Sequence, residues 1–471
     1  MKAKTSDFLS GLREFWHEFS KVKTGLVGLA ILVVFVVLAL IGPAIVPFPG
    51  AISHWRDINF WQDNSLASPP VWVNYLPWTT RKSAVSSLLG APALTEEKSD
   101  SGSRVLTYTF TYRYVYDLPP RDIVFSFQGV GQIPVALALT RPDGLEADLA
   151  HETLNVARGT PQRLSVSNDC AQAVIEFVRG RDAEIASAMS SQLVRPVNIL
   201  FSAMDANLVS APVPLKGVYT LTLKALLVSD DFVLDVPTAV VSGRVAGVMG
   251  TDLSKRDIFT GIIVGIRWAL IIGILTSILT VLVGVVLGVT AAYFGGAVDW
   301  LLNRLYEFIY LLPVLPFLIV ISAIFKPSIW TLISIICLFF WVGPYKPVYS
   351  MALQIREETY VEASRALGGR RLWIIFRHII PILLPYSFAV MALSIPGVIV
   401  YEASVSLLGL GDATIVTWGQ LLHDALGRGA VINNLWWWVI PPGLMIALMG
   451  MSFAFLGTAL DKILHPKLKT R

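Results

Sequence analysis

Long apolar stretches are the main pattern along this chain. A helix that crosses a hydrocarbon core of roughly 30 Å needs about 20 apolar residues, and six stretches approach or exceed that length. They are Gly25–Phe48, Ala269–Ala292, Ile309–Ile324, Ile329–Val348, Leu384–Leu407 and Trp436–Leu456. The first stands alone and the other five follow residue 260. This pattern predicts an all-α polytopic membrane protein with six transmembrane helices and a long segment between the first and second spans.

Basic residues in the short segments beside the spans predict the orientation, because such loops stay in the cytoplasm. They occur in three places: Lys2, Lys4, Arg13, Lys21 and Lys23 before the first span, Arg356, Arg365, Arg370, Arg371 and Arg377 before the fifth, and Lys462, Lys467, Lys469 and Arg471 at the end. With six spans, all three segments fall on one side. We expect both termini to be cytoplasmic and residues 49–249 to be extracytoplasmic.

Residues 49–249 show the alternation of β-strands. Every second residue from Leu106 to Tyr116 is large and apolar or aromatic, and Ile123–Phe127 and Tyr219–Leu223 alternate in the same way. A period of two places such side chains on one face of a sheet. Asp182–Leu193 could form one short helix. We therefore predict an inserted extracytoplasmic β-rich domain with a sandwich-like arrangement.

Residues 1–24 have helical spacing of apolar side chains at Phe8, Leu12, Phe15 and Phe19. Such a helix can lie in the headgroup plane or pack against the bundle, and the pattern does not decide between the two. The predicted domains are thus a cytoplasmic amphipathic helix at 1–24, a span at 25–48, the insertion at 49–249 and a helical core at 250–471.

The segment 354–385 keeps helical periodicity and is far longer than a turn. A first helix through Leu367 would expose Glu362 and Arg365, and Ala363 and Ala366 would offer small surfaces. Gly368 and Gly369 can adopt the positive φ that ends a helix sharply. A second helix would end near Pro381. Two helices joined at a glycine corner form a rigid knob suited to a partner's groove, so we interpret residues of about 350–383 as a mechanical coupling loop.

Composition supports a membrane protein and excludes several other classes. Hydrophobic residues make up 54% of the chain and charged residues 15%, compared with about 25% charged residues in soluble proteins. The formal net charge of +4 and the absence of a basic stripe argue against nucleic-acid binding. The sequence contains no phosphate-binding loop of the form G-x-x-x-x-G-K-[ST] and no cysteine or histidine spacing for a metal. We expect no enzymatic site and no cofactor bound by this chain.

The coupling loop resembles the EAA loop of ABC importer permeases. That loop has the pattern EAA, three residues, Gly, nine residues, Ile, one residue, Leu and Pro. The matching positions here are Glu362, Ala363, Ser364, Gly368, Ile380 and Pro381, with Ala366 between them. Ser364 replaces the second alanine, His378 replaces the usual Ile and Ile380 replaces Leu. The resemblance implies that this loop transmits the movement of an ATPase.

A second group of residues resembles the branch of peptide and nickel permeases. These residues are Gly250, Thr251, Asp252, Arg256, Asp257, Gly265 and Arg267, followed by Tyr401–Gly411. Lys255 stands where the branch has a glycine. Glu402 lies near the outer end of the fifth span, where Arg267 enters the second, so the two could form an ion pair. Alternatively, Glu402 or the Gly250–Arg267 group could line the translocation path. The resemblance covers residues 20–48 and 250–468 and leaves residues 50–245 unexplained.

The resemblance implies a type I importer half in the cytoplasmic membrane. The implied partners are a second permease subunit in a heterodimer, two ATP-binding subunits that carry ATP and Mg, an extracytoplasmic solute-binding protein and membrane lipid. Peptides are the expected solute, with an oligosaccharide or a nickel chelate as alternatives. A secondary transporter and a membrane-anchored receptor are the rival classes. For the insertion, we hypothesise docking or gating with the binding protein.

Overall fold

The computed structural model describes residues 13–98, 103–156, 162–164, 167–192, 194–205, 207–210, 212–229 and 231–464. The predicted contributions of Lys2, Lys4, Phe8, Leu12, Lys467, Lys469 and Arg471 lie outside these residues. The chain divides into two compact units. One combines the chain up to Ser53 with the chain from Thr260 onward, and the other is His54–Phe259.

The first unit begins with a helical segment at 13–21 that leads into helix α1, Lys23–Ile45. Phe19 of the leading segment is buried, whereas Phe15 and Trp16 are exposed. The described part of this segment therefore packs through Phe19 and leaves an aromatic face open. Helix α1 has 23 residues, about 34 Å at 1.5 Å per residue, which is enough to cross a hydrocarbon core.

The second unit is rich in antiparallel β-structure. Its five-stranded sheet has the order β2-β3-β9-β6-β7, a four-stranded sheet has the order β1-β11-β4-β8, and β10 pairs with β5. The strands are β1 (Ser87–Leu88), β2 (Ala93–Lys98), β3 (Arg104–Tyr114), β4 (Asp122–Ser126), β5 (Gly129–Val130), β6 (Gln132–Thr140), β7 (Glu146–Asn155), β8 (Gln162–Arg163), β9 (Gly217–Leu227), β10 (Val233–Leu234) and β11 (Thr238–Ser242). The three alternating stretches found in the sequence correspond to β3, β4 and β9, and β3 pairs with β9 along its whole length from Arg104↔Leu227 to Tyr114↔Gly217. The prediction of an inserted β-rich domain is confirmed.

One core joins the two larger sheets, as expected for a sandwich-like arrangement. Phe110 of β3 and Phe125 of β4 face each other with their ring centroids 6.1 Å apart. Three short helices close this core: α2 (Asn168–Arg179), α3 (Ala183–Ser187) and α4 (Pro196–Leu200). The prediction of one helix over Asp182–Leu193 is therefore only partly right, because the helix capped by Asp182 ends at Ser187.

Each unit contains one of the two cysteines, and both thiols are free. Cys170 lies in the first turn of α2 and has no exposed surface. Burial raises the pKa of its thiol to about 12. Cys337 lies in a helix of the other unit and is partly buried.

The remaining helices belong to the membrane unit. They are α5 (Ile258–Phe294), α6 (Gly296–Leu311), α7 (Val314–Ile324), α8 (Ile329–Phe340), α9 (Val342–Arg356), α10 (Thr359–Ala366), α11 (Arg371–Ile374), α12 (Ile380–Leu407), α13 (Trp418–Gly427) and α14 (Trp436–Leu464). Within the described part of the chain, five continuous helical stretches are long and apolar enough to cross a membrane. Four contain the predicted first, second, fifth and sixth spans almost entirely, and the stretch Ile329–Arg356 contains the fourth.

The third predicted span, Ile309–Ile324, is a broken helix. Helices α6 and α7 are bent by 83° at Leu312 and Pro313, so six spans are reached only if this pair crosses as one unit. Pro313 disfavours the helical conformation of the residue before it, and Leu312 is extended with a ψ of 131°. The apolar pattern alone does not reveal the bend.

Candidate functional site

The predicted knob is a helix that ends at a glycine corner. Helix α10 ends at Ala366, and Gly368 follows with a φ of +83°. The Gly368 N–H donates to the Arg365 carbonyl and the Gly369 N–H donates to the Ser364 carbonyl, both at 3.0 Å. These two bonds form a Schellman motif, which needs a left-handed residue at its centre and therefore favours glycine. The sharp corner expected from the sequence is confirmed.

One side of the knob is fixed to the membrane helices. Val361 of α10 is fully buried in an apolar cluster with Ile374, Ile379 and Val289 of α5. The Arg356 guanidinium donates from Nη1 to the carbonyl of Ala292 at the end of α5, at 2.7 Å. These contacts join α5, α9 and α10, so the knob is packed against helices of the membrane unit.

The other side of the knob is exposed. Glu362, Ala363 and Ala366 are exposed, as the helical periodicity predicts. Leu367, just after the end of α10, is 88% exposed. Leu372 and Phe376 are exposed as well, but they belong to the continuous helical stretch Arg371–Leu407 that is apolar enough to cross a membrane. Small exposed residues beside a large exposed apolar side chain suit a protein docking surface. We call Glu362, Ala363, Ala366 and Leu367 the coupling face.

The second predicted helix does not end near Pro381. Helix α11 continues through a π-helical turn at Ile375–Ile379 into α12, and the Ile380 N–H donates to the Ile375 carbonyl five residues back. A proline has no N–H to donate and normally interrupts a helix. Here the wider turn shifts the hydrogen-bond register just before Pro381, which lies in the first turn of α12. The coupling corner is therefore continuous with a membrane-spanning helix.

A polar network that the sequence analysis did not find connects α6 with α9. The Asn303 amide donates to Asp299 Oδ1 at 2.6 Å and accepts from Lys346 Nζ at 2.7 Å, while the Tyr349 hydroxyl donates to Asp299 Oδ2 at 3.2 Å. The ammonium of Lys346 also lies 5.0 Å from the ring centroid of Tyr306. The i,i+4 spacing of Asp299 and Asn303 and the tyrosines around Lys346 are the signals that could have predicted it. The network joins α6, the first half of the broken helix, to α9, the helix that precedes the knob.

The Gly250–Asp257 segment is a buried turn within the second unit. Asp252 Oδ1 accepts from the N–H groups of Ser254 and Arg256, at 2.7 and 2.8 Å, and Asp252 Oδ2 accepts from Arg256 Nε at 2.6 Å. Burial raises the pKa of the Asp252 carboxyl, and the Arg256 guanidinium opposes that shift. Thr251 Oγ1 accepts from the Ser68 N–H at 3.0 Å. The side chains of Thr251, Asp252, Arg256 and Asp257 are at most 3% exposed.

These bonds also change the predicted domain boundary. Residues 250–257 were assigned to the helical core, whereas their hydrogen bonds to residues 65–68 place them in the second unit, which ends at Phe259. The geometry favours a structural role for this turn, since its polar groups satisfy one another.

Glu402 is buried in α12 without a cationic partner among the described residues. Its Oε1 accepts from the hydroxyls of Ser406 at 2.8 Å and Thr417 at 2.9 Å. Thr417 also caps the start of α13, where its side chain accepts from the Gln420 N–H. Arg267 is exposed and lines a cleft with Gly42 and other residues of α1 and α5. The ion pair between Glu402 and Arg267 that the sequence left open does not form; Glu402 Oε1 instead accepts from two hydroxyl groups.

Comparison with known proteins agrees with this arrangement. Residues 284–470 match the family described as the binding-protein-dependent transport system inner membrane component, and residues 10–69 match the N-terminal transmembrane domain of oligopeptide transport permease C. The two matches leave residues 70–283 between them. The first family match contains the whole coupling face, and the second contains α1.

Individual relatives carry the same kind of name. A dipeptide transport system permease of Bacillus subtilis is 33% identical over 221 residues, which cover 47% of this chain and 68% of the relative. An oligopeptide transport system permease of Haemophilus influenzae is 32% identical over 219 residues, which cover 46% of this chain and 70% of the relative. The corresponding oligopeptide permease of Escherichia coli K12 is 32% identical, with 46% and 72% covered. The chain therefore belongs to the family of ABC transport permeases that includes the oligopeptide and dipeptide permeases.

Proposed function

We propose that this chain is a permease subunit that passes peptides across the cytoplasmic membrane, powered by ATP hydrolysis on partner subunits. The coupling face carries the proposal. It presents the exposed Leu367 beside small residues, and its glycine corner is mounted on helices of the membrane unit. The names of the relatives support peptides as the solute.

The proposed assembly contains a second permease subunit, two ATP-binding subunits and an extracytoplasmic solute-binding protein. ATP and Mg would be held by the ATP-binding subunits, whose movement would reach α12 through the corner at Gly368 and the π-helical turn. Both termini of this chain would then lie in the cytoplasm. The second unit would lie on the opposite side of the membrane, where docking or gating with the binding protein is its proposed role.

The test is ATP hydrolysis and peptide uptake by the reconstituted complex, with intact protein and a double variant, Glu362→Ala combined with Gly368→Pro. Proline cannot adopt the φ of +83° at Gly368 and cannot donate to the Arg365 carbonyl. We expect hydrolysis stimulated by the binding protein to be lost while the membrane subunits still assemble.

Glu307→Ala is the matched control. Glu307 is an exposed carboxylate on the surface of α6 that forms an ion pair with Arg304 at 2.6 Å. It should leave both activities unchanged. If the double variant also keeps stimulated hydrolysis and uptake, the coupling role is wrong and a secondary transporter becomes the better interpretation. Uptake of a nickel chelate or an oligosaccharide in place of labelled peptide would overturn the choice of solute alone.

A further inference from the structure

One arginine of the membrane unit lies in a spanning helix without a partner. Arg267 is the tenth residue of α5, and α5 is long and apolar enough to cross a membrane. Its side chain is exposed and forms no hydrogen bond or ion pair with any residue that the structure describes. A charge in such a helix is costly and generally marks a specific interaction. We therefore expect a partner from outside the chain for this guanidinium.

Arg267 lines an apolar cleft between α5 and α1. Ala39 and Gly42 of α1 line one side, and Ile263 and Ile271 lie with Arg267 on the other. The three residues of α5 are four positions apart, so they share one face of the helix. A Cβ atom on Gly42 would lie 2.6 Å from Ile263 Cγ2, so the glycine lets the two helices approach closely beside the cleft. The cavity volume is about 200 Å³, and all of these residues belong to the first unit.

The cleft lies near one end of the span formed by α1. Ala39 is six residues before Ile45, the last residue of α1, which corresponds to about 9 Å along the helix axis. Trp268 also lines the cleft, and tryptophan is enriched where the hydrocarbon core meets the headgroups. Arg267 can therefore extend its charged end toward the headgroups while its methylene groups stay beside the apolar wall.

The size and chemistry of the cleft favour a lipid. Its volume is below the range of about 300–1,000 Å³ that is typical of pockets for small-molecule ligands, whereas a narrow apolar cleft suits one acyl chain. The guanidinium of Arg267 suits a phosphate group, to which it can donate two parallel hydrogen bonds. A partner helix with only apolar side chains would fill the space but bury the guanidinium without a counter-charge, which is costly.

We propose that Arg267 and this cleft bind one phospholipid molecule, with its phosphate at the guanidinium and part of an acyl chain between α1 and α5. Phosphatidylglycerol should bind better than phosphatidylcholine, because the ammonium group of choline weakens the attraction between the phosphate and the arginine. The bound lipid would contact both helices and stabilise their packing. This inference concerns the membrane unit alone and does not depend on which solute is carried.

The test is photo-crosslinking of the full chain in nanodiscs of phosphatidylcholine that contain a small fraction of phosphatidylglycerol with a diazirine on its acyl chain. Mass spectrometry maps the labelled residues. Arg267→Gln removes the charge at an exposed position, so it should not impair folding. Ala39→Leu fills the cleft and keeps the charge. Lys326→Gln is the matched control, because Lys326 is another exposed basic residue of the membrane unit without an ion pair among the described residues, and it lies between α7 and α8.

We expect the lipid to label the residues of α1 and α5 that line the cleft. Arg267→Gln should reduce this labelling about fivefold, the effect of one basic side chain beside an anionic lipid, and Ala39→Leu should reduce it too. Lys326→Gln should leave it unchanged, and the same diazirine on phosphatidylcholine should label the cleft less.

Equal labelling of the cleft in the intact chain and in the Arg267→Gln variant would overturn the proposal. Loss of labelling from the intact chain when a second permease subunit is bound would also overturn it and assign the cleft to a protein interface. Neither ATP nor solute is present in this experiment, so its result is independent of the proposed transport function.

Discussion

Lys255 adopts a left-handed backbone conformation in the buried turn of the second unit, with a φ of +64°. The related permeases that the sequence resembles have a glycine there, which reaches this conformation without steric cost. The lysine has a compensating contact, because its ammonium donates to the Gln62 carbonyl at 2.8 Å. Burial lowers the pKa of that ammonium to about 8. The left-handed backbone of Lys255 therefore destabilises the turn, whereas its hydrogen bond to Gln62 stabilises it.

Two substitutions separate these effects. Lys255→Ala removes the hydrogen bond and keeps the left-handed strain, whereas Lys255→Gly removes both. We expect the glycine variant to be more stable than the alanine variant by about 1 kcal/mol. Calorimetric unfolding of the full chain in nanodiscs measures the difference. Equal stability of the two variants would mean that the turn relaxes and stores no strain.

Some features of single residues could be predicted from the sequence and others could not. The spacing of Glu362, Ala363 and Gly368 predicted the exposed face and the corner, because a helix end depends on local backbone chemistry. Of the two hydroxyl partners of Glu402, Thr417 was not predictable, since it lies 15 residues away at the start of a separate helix. The charges alone suggested Arg267 as the partner of Glu402, whereas in the structure neutral hydroxyl groups donate to it.

Among the elements, burial decided which strands could be predicted. Strand β3 is the clearest case, because alternate side chains enter the core. Strand β2 has six exposed residues and pairs with β3 through its backbone, so its side chains carry no periodic pattern. Helix α2 was missed although Ser167 caps it and Cys170, Val174, Phe177 and Val178 form a helical stripe. That stripe was available in the sequence and was overlooked because the helix in this region was placed at Asp182–Leu193 instead.

The contact between α1 and α14 depends on a glycine. A Cβ atom on Gly28 would lie 2.6 Å from the Ser452 carbonyl oxygen and 2.8 Å from Phe455 Cβ. Gly28→Ala should therefore push the helices apart and lower the free energy of unfolding by about 1–3 kcal/mol. Thermal unfolding in detergent measures this loss.

Gly443→Ala in α14 is the control for that substitution. A Cβ atom there meets nothing within 4 Å, and alanine favours a helix over glycine by about 1 kcal/mol. The control should match or exceed the stability of the intact protein. A Gly28→Ala variant that behaves like this control would show that the two helices do not need close approach.

At the scale of the whole molecule, the sequence predicted a helical membrane protein with a β-rich insertion, and the two units confirm it. The predicted boundary at residue 249 and the end of the second compact unit at Phe259 differ by ten residues. The reason is physical: residues 250–257 lie beside the first helix of the core in sequence but satisfy their polar groups with residues nearly 190 positions earlier, such as Ser65. No local pattern encodes such a contact.

The two units should unfold separately in urea. Helices in lipid keep their backbone hydrogen bonds because no solvent replaces them, whereas urea can reach the backbone of a unit outside the lipid. Cys170 is buried in the second unit and Cys337 lies in α8. We expect Cys170 to react with a maleimide at a lower urea concentration than Cys337 when the full chain is in nanodiscs. Simultaneous labelling of both thiols would indicate a single cooperative unit.

The order of the five-stranded sheet has a consequence for biosynthesis. Strands β2 and β3 form one pair and β6 and β7 another, and β9 is the strand that joins the two pairs. Strand β9 begins at Gly217, whereas β7 ends at Asn155. Because the ribosome adds roughly 5–20 residues per second, the two pairs have an unpaired edge for several seconds before β9 is made. During that delay the nascent chain is most exposed to mispairing. A chaperone on the side of the membrane that receives the second unit would bind the unpaired strands in this interval.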